Sequence, residues 1–490
     1  CKRAMLSKEL TDKYQLVVGL EVHAQLSTSS KLFAEDTTSF GAIPNTQVSV
    51  ITLGHPGTLP KLNMRAVDYA VRMGLACQCT ISRRSSFDRK NYFYPDLPKG
   101  YQITQDKEPI CIGGKVPFFL EDGSELEVQL NRIHLEEDAG KLIHAPGKEA
   151  SWVDFNRAGT ALIEIVTEPC IRSSEEAVAF LAEIRKLVMY LEICDGTMEE
   201  GSLRCDANVS VRLRGTESLG KKVEVKNMNS FRNLGNAIEF EYQRQVELLE
   251  LGQEIVSETR SFDADGGFTS SMRTKEELND YRYFPEPDLP HLLLTEDWIE
   301  SVNAQLPSLP NALYRKFMTT YGLPRYDAAL LTESKEVATW FEALCAKTTH
   351  YKAAANWMMG PIKSYLNETG GSFATFPLKV EVVAQLVALV EEGQVSFSVA
   401  SQKIYPELIL NPSVTPLAIA QRFNLIQESD VSYLVPLAKE VLLENPGKVK
   451  EYKTGKKGLL GLFMGELMKK SGGKADPKIA SRIFNELLAN

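Results

Sequence analysis

No apolar run in this 490-residue chain approaches the roughly 18 to 20 residues needed to span a bilayer, and the first thirty residues lack a basic-then-apolar export signal. A membrane or exported protein is not expected, and a cytoplasmic one is. Cysteine is scarce: eight residues, at 1, 77, 79, 111, 170, 194, 205 and 345, include no C-x-x-C pair. That speaks against a disulfide framework and against a paired-cysteine zinc module, and points to a reducing compartment. Cys77-Gln78-Cys79 is too closely spaced for the usual zinc pairs, and Cys205 is read as core packing. Cys1 stands where a start methionine would be, and Lys2 and Arg3 give no support to a lipidated cysteine. Two signatures are absent as well: no G-x-x-x-x-G-K-[ST] phosphate loop and no G-x-S-x-G nucleophile elbow.

What is present is an acidic chain with 43% apolar residues, enough for roughly three domains. Its 55 Lys+Arg against 64 Asp+Glu give a net charge of −9, which argues against a protein that coats nucleic acid. The charge is uneven, however. Residues 447 to 490 hold ten basic and four acidic side chains, so a basic appendage follows an acidic body. Such a tail is either a solvated helical surface or a surface that meets phosphates.

From about residue 12 to 293 the pattern is mostly period two, rich in β-branched residues and punctuated by Gly and Pro. Helical patterns interrupt it at 174–191 and 233–251. The fold class expected is α+β, an antiparallel sheet packed on one side by helices. The prolines of Tyr283-Phe284-Pro285-Glu286-Pro287-Asp288-Leu289-Pro290 remove backbone donors and place a boundary near 293. A helical domain is expected over 294–406 and a helical tail over 407–490, with a break between Pro406 and Pro416. Val383, Leu386, Val387 and Val390 mark one helix, stopped by Gly393.

Acidic residues inside strand-like segments carry the most information. In 16–26, Leu20, Val22, Ala24 and Leu26 alternate with Glu21, His23 and Gln25, so a polar face opposes an apolar one. Arg204, Asp206 and Asn208 do the same in 202–212. Glu164 sits amid β-branched neighbours, where an unpaired carboxylate is costly, so it calls for an arginine partner or a metal ion. Glu136, Glu137 and Asp138 precede the glycine turn at Gly140. Glu21, His23, Glu137, Glu164 and Asp206 together form an oxygen-rich set with one imidazole, suited to Mg²⁺ or Mn²⁺ if they converge. Arg89 and Lys90, beside Tyr92, Phe93 and Tyr94, offer a phosphate clamp with a stacking surface, or else an aromatic hairpin on the core. The turn Met198-Glu199-Glu200-Gly201-Ser202 offers backbone amides to an anion. In the tail, Leu459, Leu460, Phe463, Leu467 and Met468 form an apolar helical stripe, flanked by Lys453, Lys456, Lys457, Lys469 and Lys470 as candidate RNA contacts.

Seven ordered motifs span the chain: V-G-L-E-V-H (18–23), D-R-K-N-Y-F-Y-P-D (88–96), E-E-D-A-G-K (136–141), L-I-E-I-V-T-E-P (162–169), E-E-G-S-L-R-C-D-A-N (199–208), K-N-M-N-S-F (226–231) and D-Y-R-Y-F-P-E-P-D (280–288). They resemble the B subunit of the bacterial aspartyl/glutamyl-tRNA amidotransferase over essentially the whole length. The resemblance implies a β-rich cradle, a helical domain and a small tRNA-associated tail. It also implies a heterotrimeric, ATP- and Mg²⁺-dependent ligase that phosphorylates the side-chain carboxylate of Glu on tRNA(Gln) or Asp on tRNA(Asn). Ammonia from a partner amidase subunit (A) then displaces phosphate, with a small subunit (C) stabilising the assembly. Carried over residue by residue, it assigns Mg²⁺ to His23, Glu137 and Glu164, catalytic roles to Glu21 and Asp206, and nucleotide contacts to Arg89, Lys90, Tyr92, Ser202 and Arg204. Glu136 stays open as the alternative to Glu137, because alternation puts the two on opposite faces. Many family members carry C-P-V-C before L-G-x-P-G; here Ser49-Val50-Ile51-Thr52 precedes Leu53-Gly54-His55-Pro56-Gly57, so no structural zinc is expected. Two other functions fit the bare residues: a non-catalytic tRNA-holding scaffold, and an adenylating enzyme that releases AMP.

Overall fold

The computed structural model describes residues 6–144, 150–274, 282–426, 431–472 and 474–489. Cys1, Lys2 and Arg3, and Asp280 and Tyr281 of the last motif, lie outside them. The fold is α+β, and it divides into two compact units between Ala312 and Leu313.

In the first unit the strands that build and flank the site are β1 (Tyr14–Gln25), β2 (Thr80–Ile81), β3 (Asp88–Asn91), β4 (Tyr101–Thr104), β5 (Cys111–Ile112), β6 (Lys115–Phe119), β7 (Glu125–Glu137), β8 (Ala161–Thr167), β9 (Leu203–Leu213), β10 (Val223–Lys226), β11 (Glu258–Asp263) and β12 (Phe268–Thr274). Ten form one sheet in the order β12-β11-β10-β9-β1-β8-β7-β5-β2, with β6 also paired to β7; only β10 and β11 run parallel. A small separate sheet pairs β3 with β4.

The even residues of β1 explain why it is central: Leu16, Val18, Leu20, Val22 and Ala24 are all buried in the main core. Each large apolar side chain so buried contributes about 1.5–3 kcal/mol. They pack beneath α1 (Met64–Ala76) and α2 (Ser174–Tyr190), with α3 (Phe231–Glu250) alongside α2. α2 turns Ala177, Phe180, Leu181, Ile184, Leu187 and Val188 inward at helical spacing, and Ser173 caps it by accepting from the Glu176 N–H at 3.0 Å. The first unit runs past the expected boundary at 293, because the helix Glu296–Asn303 buries Ile299 and Val302 in this same core.

The second unit is helical. Val383, Leu386 and Val387 face inward from the helix Val380–Glu391, and Gly393, at φ +72°, follows its end. The break expected between Pro406 and Pro416 falls at Asn411–Thr415. Helical backbone continues from Phe397 through a π turn at Ala400–Ile404 to Leu410, with Pro406 directly after the π turn, where the widened turn makes room for a residue that has no N–H to donate. The basic tail folds around its own core: Leu434, Ala438 and Val441 from Val431–Glu444, Phe463 and Leu467 from Leu460–Lys470, and Phe484 from Pro477–Ala489. Among the described residues no helix is long and apolar enough to cross a membrane.

Candidate active site

Strand register assembles the polar face. His23 lies opposite Glu164 on one side and Arg204 on the other, Glu21 lies opposite Asp206, and Glu164 lies opposite His134. Directly opposed residues in an antiparallel pair share a face, so one polar patch spans β9, β1, β8 and β7. Its centre is tight: His23 Nε2 is 3.6 Å from both Glu136 Oε1 and Glu164 Oε2. His134 Nε2 stands 3.2 Å from Glu164 Oε2 and 3.6 Å from Glu136 Oε2. One donor atom each from His23, Glu136 and Glu164 lie within 4.8 Å of one another, and so do those of Glu21, Asp206 and Glu224.

Glu136, not Glu137, therefore stands with His23 and Glu164. The reason is the alternation of β7: Glu136 shares the face of His134, two residues before it, and Glu137 points to the other side. There Glu137 pairs with Lys99 Nζ at 2.6 Å and accepts the Ile103 N–H at 3.0 Å. Its carboxylate lines a separate cavity of about 130 Å³ with Lys31, Thr52, Lys99 and Tyr101.

The electrostatics follow from this crowding. Burial disfavours charge on both histidines, yet the carboxylates outweigh it: His23 is raised, chiefly by Glu164, and His134 is pushed up to about 9 by Glu164 and Glu136. Glu164 is itself held well below its usual range, since the two imidazoles more than offset its burial. His134 Nδ1 is buried without a hydrogen-bond partner. Glu21 is shifted up by burial and by the Glu164 charge, although Asn208 donates to it at 2.8 Å. In the second group Lys226 Nζ bridges Asp206 at 2.5 Å and Glu224 at 3.0 Å.

Lys90 and Arg89 part company because they are adjacent on β3. Lys90 is half-buried and raised: burial opposes its charge, but Glu136, Tyr283 and Glu164 outweigh that. It thus serves the carboxylate centre. Arg89 points away and grips Glu286 through two hydrogen bonds of 2.6 and 2.8 Å, with Asp288 at 3.2 Å and the Tyr101 ring at 4.4 Å. Its guanidinium ties β3 to the proline-rich segment rather than standing free for a phosphate. Tyr92 lies 5.9 Å from Lys90 Nζ.

Beyond Gln25 the polar face opens into a cleft of about 520 Å³, lined by Lys141, Arg157, Asp195, Ser202 and Arg204 among others. Arg204 donates to Asp138 at 2.9 Å, and Ser202 Oγ donates to Asp195 at 3.2 Å. The amides of Gly201 and Ser202 are already taken up by the Met198 and Thr197 carbonyls. This volume falls in the range of ordinary small-molecule clefts. In the tail, Lys456, Lys469 and Lys470 pair with Glu451, Glu466, and Glu440 and Glu444, while Lys457 lies over the Tyr452 ring and Lys453 is exposed. The loop that lacks C-P-V-C is closed differently: Asp36 accepts from Ser49 Oγ at 2.9 Å and from Thr52 Oγ1.

A family model described as the GatB/GatE catalytic domain matches residues 16–300, and one described as the GatB domain matches 339–488. A protein of Synechococcus sp. (strain JA-3-3Ab), named as the B subunit of an aspartyl/glutamyl-tRNA(Asn/Gln) amidotransferase, is 49% identical over 481 residues, covering 97% of this chain and 98% of the relative. The chain belongs to this amidotransferase B-subunit family. Relatives of the same name from Geotalea uraniireducens and Thermodesulfovibrio yellowstonii are 48% and 46% identical, over 96% and 97% of this chain and 98% and 99% of theirs. The catalytic-domain match covers the polar face from Leu16 onward, and the second match covers the basic tail as far as residue 488. Sequence reading of this B-subunit chain missed His134 and Glu224 as members of the two groups. Parity was the available signal, since His134 precedes Glu136 by two on one strand and Glu224 precedes Lys226 by two on another.

Proposed function

We propose that this chain is the carboxylate-activating subunit of a tRNA-dependent amidotransferase. It uses ATP to phosphorylate the side-chain carboxylate of Glu on tRNA(Gln) or Asp on tRNA(Asn), and ammonia from a partner amidase subunit completes the amide. One observation carries the reading: His23, Glu136 and Glu164 converge from three different strands on one polar face beside an open cleft. Carboxylates gathered this closely, one buried and one half-buried, repel one another unless positive charge joins them.

The donors fit a hard divalent ion, one imidazole and two carboxylates. His23, Glu136 and Glu164 would hold Mg²⁺, which when bound offsets charge between nucleotide phosphates and the carboxylate to be activated. Lys90 supplies a fixed positive charge behind the two glutamates. His134, on the same face, orients Glu164 through the oxygen that also faces His23. Glu21 and Asp206, flanked by Asn208 and Lys226, extend the acidic face toward β10 and hold polar groups there. Arg204, at the junction of face and cleft, places a guanidinium where phosphates enter. Tail lysines such as Lys453 would meet the tRNA backbone. The small third subunit completes the complex, and its site is the cytoplasm.

The test uses the chain reconstituted with its amidase and small subunits, misacylated Glu-tRNA(Gln), Mg²⁺ and γ-labelled ATP. Wild type should release phosphate and ADP and make Gln-tRNA(Gln). Glu164→Gln should still bind tRNA but lose both products by at least about a hundredfold, a loss in line with removing a group that stabilises transition-state charge. Activity equal to wild type would make the cluster structural and leave a scaffold role; AMP in place of ADP would establish adenylation.

A further inference from the structure

Some 27 Å from the cluster, at the opposite end of the same strands, three arginines gather. The figure is the eight-residue span from His23 back to Gln15 at about 3.4 Å per residue. Arg212 lies opposite Gln15 and donates to its Oε1 at 3.0 Å, so it shares the face of His23 and Arg204. Arg214 follows the strand, and Arg172 lies just before α2.

Their partners are unusual. Arg172 donates to the carbonyls of Pro169 and Ile171 at 2.8 and 3.0 Å, Arg214 to those of Asp12 and Thr11 at 3.2 and 3.0 Å, and Arg212 to Gln15 and the Glu217 carbonyl. Among the described residues none of the three forms an ion pair with a carboxylate, in a chain with 64 acidic side chains. Elsewhere in the first unit Arg89, Arg204, Arg244 and Arg260 all do. Neutral oxygens fix the positions of these guanidiniums without cancelling their charge. Arg172 is accordingly held below its usual value, first by burial and then by the Arg212 charge.

A cavity of about 230 Å³ opens there, lined by Gln15, Arg172, Ser173, Arg214, Glu239 and Tyr242. Glu239 is the one acid in its wall, and it is held by Ser174 Oγ at 2.6 Å. Glu176 is used by the Arg172 backbone N–H at 2.8 Å. The N-terminus of α2 adds little to the case, since Glu175 and Glu176 already sit in its first turn.

We infer that Arg172, Arg212 and Arg214 form a phosphate-binding patch for the tRNA backbone, distinct from the nucleotide cleft and from the basic tail. Guanidiniums match phosphate oxygens in fork geometry, and a partner that brings its own negative charge supplies what the protein withholds. An RNA whose 3′-linked side chain lies at the cluster must pass its preceding phosphates over this unit. The patch lies on the order of eight stacked nucleotides away, at about 3.4 Å each. The inference rests on the proposed tRNA substrate.

The experiment measures tRNA(Gln) binding to the full reconstituted complex over a range of salt. It compares wild type with the triple variant Arg172→Gln/Arg212→Gln/Arg214→Gln, the corresponding triple Lys variant, and Arg214→Gln alone. If wild type does not bind tRNA, the functional reading fails and this one with it. If wild type binds, the triple Gln variant should weaken affinity about tenfold or more and flatten the log Kd against log salt slope by about 2, at roughly 0.7–0.9 per phosphate contact. The Lys variant should restore most of that slope. Arg214 is exposed at a strand end, so Arg214→Gln should fold normally and lose a slope of about 0.8. KM for tRNA should rise with kcat retained at saturation. Unchanged affinity and slope in Arg214→Gln and the triple variant would overturn the patch while leaving the tRNA reading intact. So would normal tRNA binding combined with lost subunit association, which would assign the arginines to a protein partner.

Discussion

Glu136 and Glu137 are neighbours on one strand and live in different chemistry. On one side, Glu136 and Glu164 are balanced at close range by imidazoles that these carboxylates hold protonated above the ordinary histidine range, and that an incoming metal ion must displace as protons. On the other, Glu137 is held by Lys99 at 2.6 Å, with Lys31 sharing its cavity. A lysine ammonium in direct contact leaves Glu137 paired within the protein. A pair of imidazoles that can give up protons leaves Glu136 and Glu164 ready to take a metal ion instead. The comparison teaches that carboxylate count does not mark a cation site; the removability of the existing counter-charge does.

The largest expected effect separates the two glutamates directly. Glu136→Gln should weaken Mg²⁺ or Mn²⁺ binding to the isolated chain more than a hundredfold by calorimetry. Glu137→Gln should leave that affinity within about twofold but lower stability by about 3 kcal/mol, because it strands a buried lysine. Reversed outcomes would return the ligand role to Glu137. His134→Gln tests the imidazole side more finely. Removing a group that positions a metal ligand typically costs 10–100-fold in affinity, so Mn²⁺ titration should show a loss in that range, short of the Glu136→Gln effect. An unchanged Mn²⁺ affinity would make His134 a packing residue.

Much of this arrangement was legible in period-two alternation. Glu21 with His23, and Arg204 with Asp206 and Asn208, separate from their apolar neighbours because odd and even residues face opposite ways. Alternation within one strand also separated Glu136 from Glu137, but it could not say which of the two faces His23. That depends on the register of β7 against β8, where Leu162 opposes Glu136, and a one-residue slip would exchange them. Arg89 shows a second limit. Its residue type and aromatic neighbours suit a phosphate, but its partner Glu286 lies 197 residues away and no local pattern points to it. The first unit reaches past 293 for a similar reason: prolines mark an extended connector, yet Ile299 and Val302 beyond it are recruited into the first core by packing.

The smallest expected effect comes from the lysine side of the comparison. Lys31 is fully buried, with its Nζ donating to the Phe155 carbonyl at 3.4 Å. Burial lowers it to about 8, against an opposing pull from Asp36, Glu137 and Asp154. A lysine whose folded-state pKa lies below its unfolded value of about 10.4 destabilises the fold fully below pH 8, where both states carry the proton. As pH rises from about 8 to 10.4 the folded state releases its proton first, and the penalty disappears. Lys31→Met should therefore stabilise the protein at pH 7 by about 1–2 kcal/mol, after allowance for water at the cavity mouth. That advantage should shrink steadily above pH 8 in denaturant melts. A Met variant less stable than wild type at pH 7 would mean that Lys31, like Lys99, is a net counter-charge to Glu137, and would extend the lysine side of the comparison to both residues.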